Sequence, residues 1–315
     1  MTPKQKQWDS LGISINESWS KDEILFRSKS DYTVVLNPVQ VYDKTLEAFV
    51  SVPDRYVTGR INPDTDFLDN WEVVKGRYEI LPNSLIVDKA LAIVEKSSSK
   101  ASLHNCGILD NGRKFYVSIK TSGHALQVGE TAESIDSYVV VMTSHDGSMP
   151  VCYYNLDVRR KNKSVYRIDS KEYDFVLKKR HTPNAKDRLE EAQEVLHMRE
   201  EWSSEIVSAL KDLQVKITDD KVSTTLNKFW SLEKANTKKK RQHAESVHEK
   251  INELFRTDYN KGVFGQTKWA LLNALNEYID FHRNIPDAEA AQHCLEIDNY
   301  SHRLKVQLFN FLKEI

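Results

Sequence analysis

Apolar and polar residues alternate over much of the first half of the chain, which is typical of strands. The run 138–142 is aromatic and β-branched, and a second apolar run, 151–156, follows the polar segment 144–148. Asp146-Gly147 between these runs is a hairpin signal, because glycine adopts the positive φ that primed turns need. We therefore predict two strands joined by a tight turn at these two residues.

The earlier part of the chain carries more strand signals. Short apolar runs that end at prolines or polar turns predict strands at 32–36, 39–42, 48–52 and 55–61. Residues 102–108 and 114–120 flank Asp110-Asn111-Gly112 and predict another hairpin. The alternation within 114–120 predicts one buried face and one solvated face.

Two helices are predicted within this β-rich part. Ser20 followed by Glu23 forms a capping-box pattern and predicts a helix start. Apolar residues recur at helical spacing between Pro82 and Lys96, with Asn83 or Ser84 as the predicted cap.

After Pro183 the apolar spacing becomes three and four residues, which predicts helices. These predicted helices cover 186–213, 222–230, 233–255 and 267–279, with two more before residue 315. The sequence therefore predicts an α+β fold, with a β-rich N-terminal part of antiparallel hairpins and one packed helix, and a helical C-terminal part. We place the predicted boundary between a domain over 1–182 and a helical domain over 183–315.

Composition narrows the possible environment of the protein. The 315 residues are 40% hydrophobic and 29% charged with a net charge of −1, which is typical of a globular protein. Three scattered cysteines favour neither a disulfide framework nor a zinc site. We see no apolar run long enough to span a membrane and no signal peptide, so we expect a cytoplasmic protein.

Motifs for cofactors and covalent catalysis are missing from the sequence. It contains no GxxxxGK[ST], no GxGxxG, no HExxH and no GxSxG pattern. We therefore predict no cofactor, no metal site and no catalytic residue. If the protein is nevertheless an enzyme acting on nucleic acid, the suspects are His145, Asp146 and His181.

A basic segment over residues 159–188 is the main candidate for binding. It holds eleven lysines and arginines against four acids, a surplus of seven positive charges, and tyrosines lie within and just before it. Basic side chains neutralise phosphates, and aromatic rings stack on unpaired bases. The alternative is an edge strand whose lysines only prevent aggregation. The residues alone leave these two interpretations about even.

Several segments of this chain match motifs of one known family. They are Trp8-Asp9-Ser10-Leu11-Gly12, Val52-Pro53-Asp54-Arg55-Tyr56, 74–83, Ser144-His145-Asp146-Gly147-Ser148, Arg180-His181-Thr182 with Arg188-Leu189, and 269–283. In this order they resemble the phage/plasmid-like protein family, domain of unknown function 932. One departure is that residues 158–164 replace a V-V-C-Q-N-T-L-like run, keeping only Val158 and Asn162.

This resemblance implies a role in replication or recombination of mobile DNA. The order of helix 82–96, hairpin 109–117, further strands and a long helix is also similar to that of single-strand annealing proteins of the Erf and Redβ groups. This second resemblance implies a ring or filament that uses no nucleotide cofactor and holds the DNA backbone in a basic groove.

We therefore expect a phage-type protein that binds and anneals single-stranded DNA as a homo-oligomer, without covalent catalysis, in the host cytoplasm if a phage encodes it. The residues expected to contact phosphates are Arg159, Arg160, Lys161, Lys163 and Arg167, with Lys114 and Lys120 as secondary contacts. Tyr153, Tyr154 and Tyr166 are expected to stack on bases if they face outward. The alternative is a structural or regulatory phage protein that binds other proteins.

Overall fold

The computed structural model describes residues 7–62, 65–97, 101–128, 131–167, 176–186, 195 and 206–315. The strands are β1 Ile13–Ser14, β2 Val34–Asp43, β3 Ala48–Ile61, β4 Leu68–Val74, β5 Ser102–Leu109, β6 Lys114–Val128, β7 Thr131–Ser144, β8 Val151–Arg159, β9 Val165–Tyr166 and β10 Val176–Lys179. The helices are α1 Lys21–Arg27, α2 Asn83–Lys96, α3 206–212, α4 Asp219–Phe229, α5 Lys238–Arg256, α6 Lys268–Phe281, α7 Asp287–Leu295 and α8 Tyr300–Glu314. The predicted α+β fold is confirmed.

The main sheet is antiparallel in the order β1-β5-β6-β7-β8-β10, and β9 also pairs with β8. The β5–β6 hairpin forms as predicted, because Asp110, Asn111 and Gly112 all have positive φ. The β7–β8 turn differs from the prediction. It spans residues 145–150 instead of two residues, and only Gly147 within it has positive φ.

Both faces of this sheet are covered. Helix α2 packs on one face against Phe115 and Val117, while the region of Trp8 and α7 covers the other. Tyr116 and Ser118, on the predicted solvated face of β6, are therefore fully buried. The prediction of a solvated face was wrong because a helix from the far end of the chain covers that side.

The helical part packs around α6, most of whose side chains are buried. Thr218, Thr237, Thr267 and Asn299 cap α4, α5, α6 and α8 with their side-chain oxygens. The predicted helices at 222–230, 233–255 and 267–279 are thus confirmed with shifted ends. Of the predicted helix 186–213, residues 186, 195 and 206–213 are described; residues 195 and 206–212 are helical, while 186 and 213 lie in turns.

The helical part and the sheet share buried contacts. Ile135 of β7 and Tyr166 of β9 belong to the same apolar core as α6. A buried ion pair between Lys305 of α8 and Asp280 of α6 also holds β9, since Val165 donates its N–H to Asp280 and accepts a hydrogen bond from Lys305. These contacts fix the helices against the edge of the sheet that carries β9.

A second sheet has the order β2-β3-β4. The predicted strand ends at Pro38 and Pro53 were wrong, because β2 and β3 each run through their proline. The register shifts between Pro38, which pairs with Tyr56, and Gln40, which pairs with Ser51, so residues 52–55 bulge out of the ladder. A bulge accommodates a proline because the missing N–H is not needed there.

Beyond this bulge, residues 39–52 form a two-stranded ribbon that we call the arm. Its last ladder pair is Asp43 with Ala48, and a turn over residues 44–47 closes it. The third strand, β4, pairs only with the part of β3 from Tyr56 onward. The arm therefore projects beyond the three-stranded part of the sheet.

The N-terminal ends of α1 and α2 differ in their caps. Ser20 caps α1 and accepts a hydrogen bond from the Glu23 N–H, as predicted. The predicted cap of α2 was wrong, because Pro82 occupies that position and Asn83 is buried inside the helix. The Asn83 side chain donates to the Ser30 carbonyl and contacts His145 instead.

Candidate functional site

Two arginines that we expected to bind phosphates are buried. The Arg159 guanidinium donates to Asn260 at 3.1 Å and lies over the Phe264 ring. Arg167 donates to the carbonyl oxygens of Cys294 and Leu295 at 2.8 and 3.1 Å, at the C-terminal end of α7. A cation there satisfies helix carbonyls that lack intrahelical partners. Both arginines bind the helical part, so their predicted role as phosphate contacts was wrong.

The three tyrosines expected to stack on bases are also buried. Tyr154 donates its hydroxyl to the Leu295 carbonyl at 2.8 Å, and Tyr166 stacks on Trp269 at 5.3 Å between ring centroids. Tyr153 lies in the core beneath α2, only 4% exposed. None of these rings presents a face to solvent, so the condition for base stacking is not met.

Four predicted cations remain near the surface, and we call them the cationic patch: Lys120, Arg160, Lys161 and Lys163. Arg160 donates to Asp136 Oδ1 at 2.7 Å, while the ammonium groups of Lys120 and Lys163 lie 4.0 Å from the same carboxylate. Burial alone would raise the pKa of Asp136, but these cations outweigh burial and lower it. Three of the four cations thus surround one acid, Asp136, and Lys161 is the exposed neighbour of Arg160 in the chain.

Lys114, the other secondary candidate, does not join this patch. Its ammonium pairs with Asp110 at 2.8 Å and with Glu296 at 2.7 Å. Burial lowers the pKa of Lys114, but the two carboxylates outweigh burial and raise it. Lys114 therefore ties the β5–β6 hairpin to the end of α7.

A concave site lies elsewhere in the part of the chain that the structure describes, and we call it the basic pocket. It has a volume of about 630 Å³ and is lined by residues from three segments, 74–78, 147–150 and 178–182. A volume in this range is typical of ligand-binding pockets. We call the apolar part of this lining (Val74, Met149 and Pro150) the floor, and its basic part (Lys75, Arg77, Lys178 and Arg180) the rim.

The charges of this pocket are unevenly matched. Lys178 pairs with Asp298 at 2.8 Å. Lys75, Arg77 and Arg180 are exposed, and no carboxylate within the described part of the chain forms an ion pair with them. No acidic residue lines the pocket. The site therefore attracts anions and has cations available to bind them.

Stacked rings form one wall of the pocket. Tyr78 and His181 stack at 4.9 Å between centroids and 16° between planes, and Tyr78 donates its hydroxyl to the Ser144 carbonyl at 2.9 Å. His181 Nδ1 lies 3.1 Å from the Glu79 carbonyl, which can only accept, so this nitrogen carries the proton. Burial lowers the pKa of His181, which keeps the ring neutral near pH 7.

The turn 145–150 supplies residues 147–150 as a second wall of the pocket. Asp146 accepts from the Ser148 N–H at 2.9 Å, and the Ser144 hydroxyl and Met149 backbone bond each other in both directions. His145 points inward, stacks on Trp71 and contacts Asn83 Oδ1 at 2.8 Å. Burial, and then the charge of His181, lower the pKa of His145 to about 3. His145 and Asp146 thus make contacts that hold this turn in place, and His181, the third enzyme suspect, belongs to the wall of stacked rings.

The arm begins at the edge of the pocket. Asp54, in the bulge of β3, accepts from the Gly76 N–H at 2.8 Å. A Cβ at Gly76 would lie 2.9 Å from that carboxylate oxygen and 3.0 Å from the Tyr56 ring, so a larger residue would have to displace these side chains. Segments 52–56 and 74–78, which carry two of the motifs, therefore meet here.

The pocket as a whole escaped prediction. Four motif segments, 52–56, 74–78, 144–148 and 180–182, meet at or beside it, although they are far apart in the sequence. The sequence signal that pointed to this pocket was the set of motifs itself, together with Lys178, Lys179 and Arg180 in the basic segment. We had expected the phosphate contacts 15–20 residues earlier, at 159–167.

The fold and the site together define an α+β protein with a two-faced antiparallel sheet and a basic pocket at the β7–β8 turn. The profile of the family described as "Domain of unknown function (DUF932)" matches residues 70–305, which is 236 of the 315 residues, so the chain belongs to that family. The match starts after the arm. No curated protein and no solved structure matches the chain.

Two features are absent from the described residues. These residues contain no group of three or more His, Cys, Asp or Glu side chains placed to hold a metal ion. None of their helices is long and apolar enough to cross a membrane.

Proposed function

We propose that this protein binds single-stranded DNA, with the basic pocket as the principal contact and the cationic patch as a second one. The observation that carries the proposal is the pocket's three exposed cations without a carboxylate partner, set around an apolar floor and an aromatic wall. Phosphates bind cations, and unpaired bases pack on apolar and aromatic surfaces. A single strand can offer both to a concave pocket, whereas a duplex keeps its bases stacked inside.

The cationic patch lies at the other end of β7 from the pocket. Ten residues separate Asp136 from Asp146, which corresponds to about 30 Å of strand. A strand long enough to reach both sites would release more counterions than one bound at the pocket alone. We therefore expect the affinity to rise with oligonucleotide length until both sites are occupied.

Annealing is the second part of the proposal. A protein that holds phosphates at separate cationic sites does not use the pairing edges of the bases, so those edges stay available to a complementary strand. Bringing two strands together needs more than one bound strand in an assembly, so we propose that the protein acts as an oligomer. A fluorophore–quencher assay with two complementary oligonucleotides tests this part.

The binding test is fluorescence polarisation with a labelled single-stranded oligonucleotide over a salt series. The pocket variant Arg77→Glu/Arg180→Glu should lower the affinity at least tenfold and flatten the slope of log K against log salt by about 1.4, since each phosphate contact contributes about 0.7. The matched control is Lys238→Glu/Lys239→Glu, which makes the same charge change on the exposed start of α5.

Each alternative function predicts a different result. A protein-binding role predicts weak DNA affinity that disappears at modest salt and is equal in the pocket and control variants. An enzyme acting on nucleic acid predicts that His145→Ala abolishes turnover of a DNA substrate while DNA binding is retained.

A further inference from the structure

The arm carries an apolar surface that nothing covers within the described residues. Leu46 at its turn is 65% exposed and Phe49 is 69% exposed. Tyr42 packs edge-on against Phe49 across the two strands, while Val41 and Val50 form an exposed pair on the other face. A two-stranded ribbon of this kind is only marginally stable alone, so it gains stability by packing against another surface.

The charge of the arm indicates what that surface should be. Residues 39–52 contain Asp43, Lys44 and Glu47, a net charge of −1, and the ion pair of Asp54 with Arg55 at the root of the arm adds no net charge. An acidic, apolar ribbon complements a surface that is apolar in the centre and basic at the rim. The basic pocket has this composition, with Val74, Met149 and Pro150 on its floor and unpaired cations around it.

The tip of the arm cannot reach the pocket of its own chain. The root is fixed at the pocket edge by the hydrogen bond from Gly76 to Asp54. Leu46 lies eight residues further along a paired ribbon, which corresponds to about 25 Å. The pairing of Asp43 with Ala48 keeps the ribbon straight nearly to its end. The complementary surfaces can therefore meet only between two copies.

We infer that the arm of one copy inserts Leu46 and Phe49 into the basic pocket of a second copy. The contact joins two different surfaces, so it is heterologous, and repeating it builds a ring or a filament. Glu47 and Asp43 face the rim cations of the neighbouring pocket, while the two apolar side chains cover its floor.

This contact regulates access to the proposed DNA site. The arm and a DNA strand would use the same pocket, so each strand bound displaces one arm, and an assembly can hold arms in some pockets and strands in others. The contact between arm and pocket does not depend on DNA binding. Only the competition between arm and DNA rests on it.

The test is sedimentation velocity of the full chain over a concentration series. The arm variant is Leu46→Ser/Phe49→Ser, and the pocket variant is Arg77→Glu/Arg180→Glu. All four residues are exposed, so we expect both variants to fold, which circular dichroism checks. The matched control is Phe67→Ser, since Phe67 is 77% exposed and lies outside the arm.

We expect the wild type and the control to increase in mass with concentration, and each variant alone to remain a single copy. An equimolar mixture of the two variants should form a complex of two copies and stop there. The intact arm of the pocket variant can bind the intact pocket of the arm variant. The altered arm and the altered pocket that remain in this complex cannot bind a third copy. A contact between two arms would instead let the pocket variant, whose arm is intact, self-associate on its own, and would give no complex that contains both variants.

Three results would overturn the inference: a wild type that stays a single copy, an arm variant that assembles like the wild type, or a mixture that stays monomeric. A short single-stranded oligonucleotide should dissociate the wild-type assembly, and the arm variant should bind it at least as tightly as the wild type. DNA binding with no loss of mass would overturn the competition. No DNA binding by any variant would overturn the proposed function while leaving the mixing result intact.

Discussion

The ion pair between Lys305 and Asp280 provides a direct test of how the helices are joined to the sheet. Both side chains are almost fully buried, at 2% and 1% exposed, and Lys305 Nζ lies 2.7 Å from Asp280 Oδ2. The same two groups hold both polar atoms of the Val165 backbone at 2.8 Å. Replacing Lys305 by methionine therefore leaves a buried carboxylate without its cation and a buried carbonyl without its donor.

We expect Lys305→Met to reduce the free energy of unfolding by about 3–5 kcal/mol, the usual cost of removing one partner of a buried pair. Asp280→Asn keeps an acceptor for the Val165 N–H but leaves the ammonium unpaired, so we expect a similar loss. Neither charge is left unpaired in the double variant. Its free energy of unfolding should therefore fall by at least about 1 kcal/mol less than the sum of the decreases in the two single variants.

The assay is urea unfolding followed by tryptophan fluorescence and by circular dichroism. Coincident transitions would show that sheet and helices unfold together. A loss below about 1 kcal/mol for Lys305→Met, which is the range of exposed ion pairs, would refute the claim that this contact fixes the helices to β9.

Three further predictions concern the walls of the pocket and the core behind it. Gly147 has a φ of +74°, so Gly147→Ala should cost about 1–2 kcal/mol in thermal unfolding, while an unchanged melting temperature would mean that the turn relaxes. The folded-state pKa of His145, about 3, lies below its usual 6.5, so its contribution is complete above pH 6.5 and is lost as the pH falls towards 3. The free energy of unfolding, measured at a series of pH values, should therefore decrease by up to about 1.4 kcal/mol for each pH unit below 6.5 because of His145. The decrease should be less steep in His145→Gln. Tyr166→Phe removes the hydroxyl that donates to Asn273 and should lower the free energy of unfolding in urea by about 1 kcal/mol without changing DNA affinity. A loss of DNA affinity would show that Tyr166 contacts DNA.

Features that depend on neighbouring residues could be predicted from the sequence. Ser20 with Glu23 gave the start of α1, and Asp110-Asn111-Gly112 gave the β5–β6 turn, because the hydrogen bonds and the positive φ values involved lie within a few residues. The apolar spacing in the C-terminal half predicted α4, α5 and α6 for the same local reason.

Features that depend on distant packing could not be predicted. An alternating strand indicates which side chains share a face, but it does not show what covers that face. Tyr154 and Arg167 are buried because the end of α7, more than 120 residues later, lies against them. The sequence predicts strand ends at Pro38 and Pro53 because the bulge that accommodates these prolines forms only when two strands pair.

The candidate site illustrates the same limit. The surplus of positive charge in the basic segment could be counted, but burial separates its members into structural arginines, the cationic patch and the rim of the pocket. Lys75 and Arg77, from a segment about 100 residues earlier, complete that rim. Only the tertiary structure brings these groups together.

The measurement that tests the central claim most directly is the affinity of Arg77→Glu/Arg180→Glu for a single-stranded oligonucleotide across a salt series, beside the wild type and Lys238→Glu/Lys239→Glu. If the basic pocket is the DNA site, the pocket variant should lose at least tenfold in affinity, and its slope of log K against log salt should be flatter by about 1.4. The control should match the wild type. Equal affinities and equal slopes for all three proteins would contradict the claim.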